Sequence, residues 1–125
     1  MYNCGMQRNY YNNLLERSRL FYKTIGSIKC KHLDNHNVHF GVSGFTHLLM
    51  KDRKFRPVKE QIRKLSLIKY IPETINASSA IIEKRVINRK VTYTSISTKI
   101  NSKEIKVIIR KYTNGGYHFW SIMDK

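Results

Sequence analysis

Acidic residues are scarce in this chain. Eight Asp and Glu stand against 24 Lys and Arg in 125 residues, which gives a formal net charge of +16. Pairing with so few acids leaves most of this charge unneutralised, so the sequence predicts a polyanionic partner, with nucleic acid as the leading candidate. The same scarcity disfavours a Mg²⁺-dependent nuclease, because Asp34, Asp52 and Glu60 lack the carboxylate grouping of two-metal hydrolysis.

Several other features are absent. The sequence has no run of about eighteen apolar residues, and its basic residues do not line a single amphipathic helix, which disfavours a membrane partner. The N-terminus lacks a basic-then-apolar leader pattern. The two cysteines, Cys4 and Cys30, have no CxxC spacing and are expected to stay reduced in a cytoplasm. Nucleotide-binding and serine-hydrolase motifs are also missing, so no cofactor is expected.

Four potential metal ligands lie close together in the sequence: Cys30, His32, His36 and His39. Their spacing lacks the paired arrangement of a zinc finger or of an HExxH helix. Outside this stretch only His118 adds a further ligand of this kind. We therefore expect solvated loop histidines and no bound metal.

The first half of the chain has the apolar periodicity of helices. Residues 1–8 are polar and are expected to be loose and flexible. Residues 10–22 and 58–70 place their apolar side chains at helical spacing, and residues 28–33 predict a short strand. The solvated side of the helix predicted at residues 58–70 carries three basic residues, Lys59, Arg63 and Lys64.

From residue 80 onward the pattern changes to strands. Four runs rich in β-branched and aromatic residues are separated by short polar turns, at residues 80–87, 91–98, 104–112 and 116–123. Asn114 and Gly115 give the strongest hairpin signal, because this pair tolerates the positive φ angles of a type I′ turn. The length fits one domain, residues 1–125. The predicted class is α+β, with N-terminal helices packed on one face of a C-terminal four-stranded antiparallel β-meander.

A strand-to-helix junction carries two of the five histidines. Residues 38–43 alternate between apolar and polar side chains as in a half-buried strand, with His39 on the polar face. Ser43 and Gly44 can turn the chain and cap a following helix, whose first turn carries His47. The junction therefore predicts a place where histidines approach a sheet edge.

Cations surround His47 in the sequence. Lys51 lies four residues further on, on the same side of the predicted helix, and Arg53 and Arg56 follow where that helix should fray. The positive end of the helix and these cations disfavour a protonated ring, so we expect a neutral imidazole. Lys51, Arg53 and Arg56 are candidate RNA-binding residues.

The C-terminal strands supply further candidates. Lys106 and Arg110 share one face of the third strand, and the fourth strand adds either His118 or Ser121 to that face, depending on the register. The second strand adds one of two pairs, Tyr93 with Ser95 or Thr92 with Thr94. The sequence does not determine the register. Lys106 and Tyr93 are candidate RNA-binding residues.

Histidines beside Lys, Arg and hydroxyl groups suit RNA cleavage without a metal. A histidine can take the proton of the ribose 2′-OH while a second acid protonates the leaving 5′-oxygen. Fixed cations stabilise the phosphorane. The candidate catalytic residues are His39, His47, Arg110, His118 and Ser121. Any single histidine is more often structural than catalytic, so the hypothesis depends on their convergence.

The string HFGVSGFTHLLMKDR, with an F-x-HLL element opening a helix, and the terminal string KVIIRKYTNGGYHFWSIMD carry a resemblance. They resemble the Barnase-EndoU-Colicin-RelE (BECR) nucleases of phages and toxins, over roughly residues 36–124. This resemblance implies helices on a four-stranded antiparallel sheet and metal-independent cleavage of tRNA or other cellular RNA. It further implies a toxin restrained by an immunity or antitoxin protein. His47 is the firmest residue carried over from this group, and His39, Arg110, His118 and Ser121 are weaker.

Two other functions remain open at this point. A non-catalytic RNA- or DNA-binding module would use the basic sheet for phosphates and the Tyr and Trp residues for base stacking. A packaging protein of a mobile element would use its charge only to neutralise nucleic acid. Incubation with RNA in EDTA separates both of these from a nuclease.

Overall fold

The chain, seen in a computed structural model that describes residues 4–125 with side chains from Arg8 onward, is α+β. Its helices are α1 (Cys4–Ile25), α2 (Val42–Leu49), α3 (Val58–Leu67) and α4 (Ile71–Ile75), with 3-10 turns at Lys31–Leu33 and Ile68–Tyr70. Its strands are β1 (Ser27–Cys30), β2 (His36–His39), β3 (Met50–Lys51), β4 (Lys54–Phe55), β5 (Ile81–Ile87), β6 (Val91–Ile100), β7 (Lys103–Tyr112) and β8 (Tyr117–Asp124).

The N-terminal helix is longer than predicted. Of the segment expected to be loose, residues 1–3 lie outside the described residues, and the chain is helical from Cys4 onward. The side chain of Cys4 also lies outside the described part, whereas Cys30 is a free, buried thiol. None of the helices within residues 4–125 combines the length and apolarity that crossing a membrane requires.

The four predicted C-terminal strands are confirmed, and they form an antiparallel meander from β5 to β8. The sheet is larger than the predicted four-stranded meander. A β1–β2 hairpin extends it to six, in the order β1-β2-β8-β7-β6-β5, and β2 runs parallel to β8. A two-stranded hairpin is only marginally stable alone. Because β2 pairs with β8, the β1–β2 hairpin buries Cys30 and Val38 completely.

The core lies on one face of the sheet. Fully buried side chains of β6, β7 and β8 point toward the helices: Ile96, Ile105, Val107, Ile109, Phe119 and Ile122. Helix α4 packs over β6 and β7, and α2 and α3 pack along β8. Because β2 pairs with β8 only at Tyr117 and His118, the rest of β8 has a helix at its side in place of a strand.

The position of α2 depends on a close contact with β8. The predicted alternation ends early, since β2 stops at His39 and Val42, which is 83% exposed, already belongs to the helix. The Tyr22 hydroxyl donates a hydrogen bond of 2.7 Å to the Gly41 carbonyl just before the helix. A Cβ at Gly44 would come within 2.5 Å of the Phe119 carbonyl oxygen of β8. Only glycine allows this approach.

Replacing Gly44 with Ala is expected to lower the free energy of unfolding by about 1 to 3 kcal/mol, because the clashing atom belongs to the β8 backbone and cannot rotate away. Gly41→Ala is the matched control, since a Cβ there meets nothing within 4 Å. Urea unfolding of both variants measures the difference. Equal midpoints for the two variants would show that α2 does not depend on this contact.

The chain after α2 differs from the prediction. Helix α2 ends at Leu49, and Lys51 and Arg53 lie in a β3–β4 hairpin instead of a fraying helix. Asp52 and Arg53 have φ angles of 53° and 66°, the left-handed pair that a two-residue hairpin turn needs. Asp accepts this conformation through local hydrogen bonding of its side chain. Pro57 then precedes α3 as its N-cap.

The prediction of a tight turn at Asn114 and Gly115 is also wrong. Neither residue has a positive φ, and the Gly115 amide donates to the Tyr112 carbonyl in a longer loop. The reason is that β7 continues along β6 as far as Tyr112, while β8 starts only at Tyr117. Left-handed turn pairs occur instead in the other two hairpins of the meander, at Asn88 and Arg89 and at Asn101 and Ser102.

Candidate functional site

A β-bulge in β8 determines which side chains reach the open face of the sheet. Ile109 of β7 lies opposite Phe119, and Ile108 lies opposite Ser121, which leaves Trp120 as an extra residue. An inserted residue of this kind interrupts the alternation of a strand and redirects its side chains. The bulge therefore changes the parity of β8 at Trp120.

The bulge places His118 and Ser121 on the same face. His118 lies opposite Arg110 and Ser121 opposite Ile108, and directly opposed residues of an antiparallel pair share a face. Regular alternation of side chains along the strand would place only one of His118 and Ser121 on this face. Both side chains therefore lie on the face opposite the main core, where His118 is exposed and Ser121 is buried in contact with Lys64 of α3.

Trp120 lies between two other planar groups. The ring centroids of His47 and Trp120 are 3.9 Å apart, and the Arg110 guanidinium carbon is 3.7 Å from the Trp120 centroid. Two planar groups cannot both come this close to one face of a ring, so the imidazole and the guanidinium cover opposite faces of the indole. The stack links α2, β7 and β8 at one point.

A pocket of about 380 Å³, here called the basic pocket, opens beside this stack. It is rich in cationic side chains and includes a predicted hydroxyl: His47, Lys51, Arg56, Arg63, Lys64 and Ser121 line it. Two of its cations are neutralised, Arg56 by Glu60 at 2.9 Å and Arg63 by Asp124 at 2.6 Å. The remaining positive charge lies on Lys51 and Lys64.

The environment of His47 favours a neutral ring. Its pKa is lowered from 6.5 to about 4, first by burial and then by the nearby charges of Arg56 and Lys64. An interaction with the Trp120 backbone opposes this shift without outweighing it. Within the described part of the chain, the buried Nδ1 has no hydrogen-bond partner. The ring therefore keeps an unused nitrogen among cations.

The structure changes the predicted cause of this neutrality. His47 is the sixth of eight residues in α2, so it lies in the last turn and not the first. The negative end of a helix would favour the protonated ring. The pKa of His47 is lowered instead by burial against Trp120 and by the cations of the basic pocket.

The prediction that Lys64 lies on the solvated face of its helix is wrong. Lys64 is buried, and its Nζ donates to the Ile122 carbonyl at 3.0 Å and to the Ser121 hydroxyl at 3.3 Å. Burial, and next the charge of Arg56, lower the pKa of this ammonium. Lys64 thereby satisfies the Ile122 carbonyl of β8 and positions Ser121.

The predicted RNA-binding residues lie around Trp120 in three adjoining pockets. Lys51 lines the basic pocket, as does Arg56, although its Nε also donates to the His47 carbonyl at 3.1 Å and supports the fold. Arg53 lines a second pocket, together with His47, Arg110 and Trp120. The third, here called the sheet groove, has a volume of about 530 Å³ and contains Tyr93, Lys106 and Trp120.

Four of the predicted residues form a line across the sheet. Tyr93 lies opposite Arg110, Arg110 opposite His118, and His118 beside His39 on the parallel neighbour β2. The rings of His39 and His118 are exposed, with centroids 5.6 Å apart. Strands about 4.8 Å apart make this transverse row about 14 Å long. It starts beside the sheet groove and passes next to Trp120.

The histidines and cysteine considered as metal ligands point to different partners. The Cys30 thiol contacts the Ile75 carbonyl, His32 bonds the Ala77 carbonyl at 2.8 Å, and His39 faces His118. Among the residues that the structure describes, no three His, Cys, Asp or Glu side chains come close enough to share an ion.

Trp120 and Lys64 are the site residues that sequence reasoning missed. Lys64 lies three residues after Gln61 and four before Ile68, on the buried side of α3, but Gln61 is polar, so the apolar periodicity gave no signal for this burial. Trp120 is the only tryptophan of the chain and lies between two candidate residues. Comparison of the whole chain with protein-family models, with curated proteins and with solved structures finds no match.

Proposed function

We propose that this protein is a metal-independent endoribonuclease whose reaction takes place in the basic pocket. The observation that carries the proposal is His47, a neutral imidazole that lines the basic pocket and is held against Trp120 among cations. A neutral imidazole can accept a proton, and nearby fixed cations favour the developing phosphorane charge. Other imidazoles of the chain lack this combination of stacking, burial and adjacent charge.

In this mechanism His47 removes the proton of a ribose 2′-OH, and the 2′-oxygen attacks the adjacent phosphorus. Lys51 and Lys64 stabilise the charge on the phosphorane oxygens. The bond from phosphorus to the 5′-oxygen then breaks, and the Lys64 ammonium donates a proton to that oxygen. Its lowered pKa makes it a stronger acid than an ordinary lysine. The products are a 2′,3′-cyclic phosphate and a 5′-hydroxyl.

The transverse row supports binding of the RNA strand on either side of the cleaved bond. Arg110, His118 and His39 present cationic or hydrogen-bonding groups to phosphates, and Tyr93 offers a ring for stacking. Arg110 also acts as a positioning residue, since its guanidinium holds the indole against His47. The net charge of +16 supports a polyanionic substrate in general, with tRNA or other cellular RNA as proposed targets.

The resemblance to BECR nucleases leads us to propose a toxin or mobile-element nuclease that acts in a bacterial cytoplasm, delivered there in some cases. A nuclease of this kind would require a cognate immunity or antitoxin protein. The chain's charge favours an acidic partner surface.

A non-catalytic RNA-binding module is the second candidate. The transverse row favours it, because an exposed line of Tyr, Arg and His residues can bind a strand without any chemistry. This candidate gives no role to the neutral His47 imidazole that lines the basic pocket.

The deciding experiment is incubation of the purified protein with tRNA and with an unstructured RNA in excess EDTA, followed by analysis of the product ends. The nuclease is expected to give 2′,3′-cyclic phosphate and 5′-hydroxyl ends. Binding without cleavage would favour the second candidate. Cleavage that EDTA abolishes, or that leaves 5′-phosphate ends, would contradict the proposed mechanism.

A further inference from the structure

Strand β5 forms one edge of the sheet and is unusually exposed. It pairs with β6 on one side, and no strand covers its other side within the described chain. Every residue from Ile81 to Ile87 except Ile82 is exposed. Three of these are large apolar side chains, with exposures of 62% at Ile81, 63% at Val86 and 39% at Ile87. An edge of this kind is a template for pairing with another strand.

The sequence of β5, IIEKRVI, is complementary to itself when run antiparallel. Centred on Lys84, a second copy places Ile81 opposite Ile87 and Ile82 opposite Val86. It also places Glu83 opposite Arg85, twice by symmetry. In the described part of the chain neither Glu83 nor Arg85 has an ion-pair partner. Opposite charges directly across a strand pair are stabilising, and like charges are destabilising.

We propose that β5 is a homodimer interface, in which two copies pair antiparallel about a twofold axis at Lys84. A twofold contact uses the same surface on both copies and closes after two. Residues 81, 83, 85 and 87 share one face by strand alternation, so the apolar and ionic pairs form on the same side. The outcome is one continuous sheet that buries the exposed Ile and Val side chains of both edges.

This pairing has a geometric consequence for the open face. Antiparallel addition at an edge keeps the same face of both sheets on one side. The two Trp120 residues are then seven strand spacings apart, which is about 34 Å. The two sheet grooves, each lined in part by Arg85 and Tyr93, would meet at the dimer axis.

The test measures the self-association of nucleic-acid-free protein by sedimentation velocity from about 1 μM to 1 mM, a range that covers weak interfaces. Glu83→Arg and Arg85→Glu each create two like-charge contacts and are expected to raise the dimer Kd by about tenfold or more. The double variant E83R/R85E exchanges the charges and is expected to restore the wild-type Kd. Lys84→Thr removes the only like-charge contact at the axis and is expected to tighten the dimer.

The exchange of charges makes the test independent of simple damage to the strand. Circular dichroism checks that each variant is folded, and the double variant carries both substitutions yet should still associate. A wild-type protein that is monomeric at about 1 mM would overturn the proposal. A dimer that the single variants do not weaken, or that the double variant does not restore, would overturn it as well.

Discussion

Replacing His47 with Gln is expected to lower the rate of RNA cleavage by about 100- to 10,000-fold, the usual effect of losing a general base. Glutamine preserves the size and hydrogen bonding of the side chain but cannot take a proton at neutral pH. The comparison is a single-turnover rate with tRNA in excess EDTA. RNA affinity should change little, because a neutral imidazole contributes no charge to phosphate binding.

His36→Gln is the matched control for this experiment. His36 is an exposed histidine of β2 whose ring lies 5.7 Å from that of Tyr117, and it lines none of the three pockets around Trp120. Its substitution should leave the rate within about twofold of wild type, as expected away from the proton-transfer groups. A His47→Gln protein that is folded, binds RNA and still cuts at the wild-type rate would exclude His47 as the base.

The pH profile gives a second measure of the same role. A base must be neutral to act, and kcat/KM reports the ionisation of the free enzyme. Since the pKa of His47 is lowered to about 4, kcat/KM should decline on the acid side only near pH 4. An ordinary histidine base would give this decline near pH 6.5. A decline near pH 6.5 in folded protein would contradict His47 as the base.

RNA binding is expected to weaken about a hundredfold between 50 and 200 mM salt. About five phosphate contacts to a single strand give a slope of about −3.5 in a plot of log affinity against log salt. The charges that supply these contacts lie around Trp120 without an acid within ion-pair distance in the described chain, among them Lys51, Arg53, Lys106 and Arg110. Fluorescence anisotropy of a labelled oligonucleotide with cleavage blocked by His47→Gln measures the slope.

Single charge removals locate these contacts. Lys51→Gln should reduce the slope by about 0.7, the share of one phosphate on a single strand. Lys23→Gln is the control, because Lys23 lies in the last turn of α1 and lines none of the three pockets. Affinity that is constant across the salt range, or absent at low salt, would contradict a nucleic-acid partner.

Local patterns predicted much of this fold. Alternation of Ile105, Val107 and Ile109 identified β7 and its buried face, and all three are fully buried. Helical spacing identified α1 and α3. The parallel contact between Val38 and Tyr117 could not be predicted in this way, because it joins residues far apart in sequence whose pairing depends on the free edge of β8.

The site was predictable only in part, and the bulge is the reason. Phe119 and Ile122 are both buried although three positions separate them, and a regular strand would place them on opposite faces. The run HFWSI has apolar residues at both parities, so no local rule indicates where the alternation breaks. Trp120, the residue inserted there, was consequently not among the predicted catalytic residues despite its central position.

The stack of His47, Trp120 and Arg110 also provides an internal optical probe. Because Trp120 is the only tryptophan of the chain, its fluorescence comes from this one position without any label. A protonated imidazole in van der Waals contact quenches indole emission more than a neutral ring does. Displacement of the guanidinium by a bound phosphate would likewise change the emission. The intensity of one native chromophore thus reports protonation of His47 in the wild-type protein, and occupancy of the pocket even in the inactive His47→Gln variant.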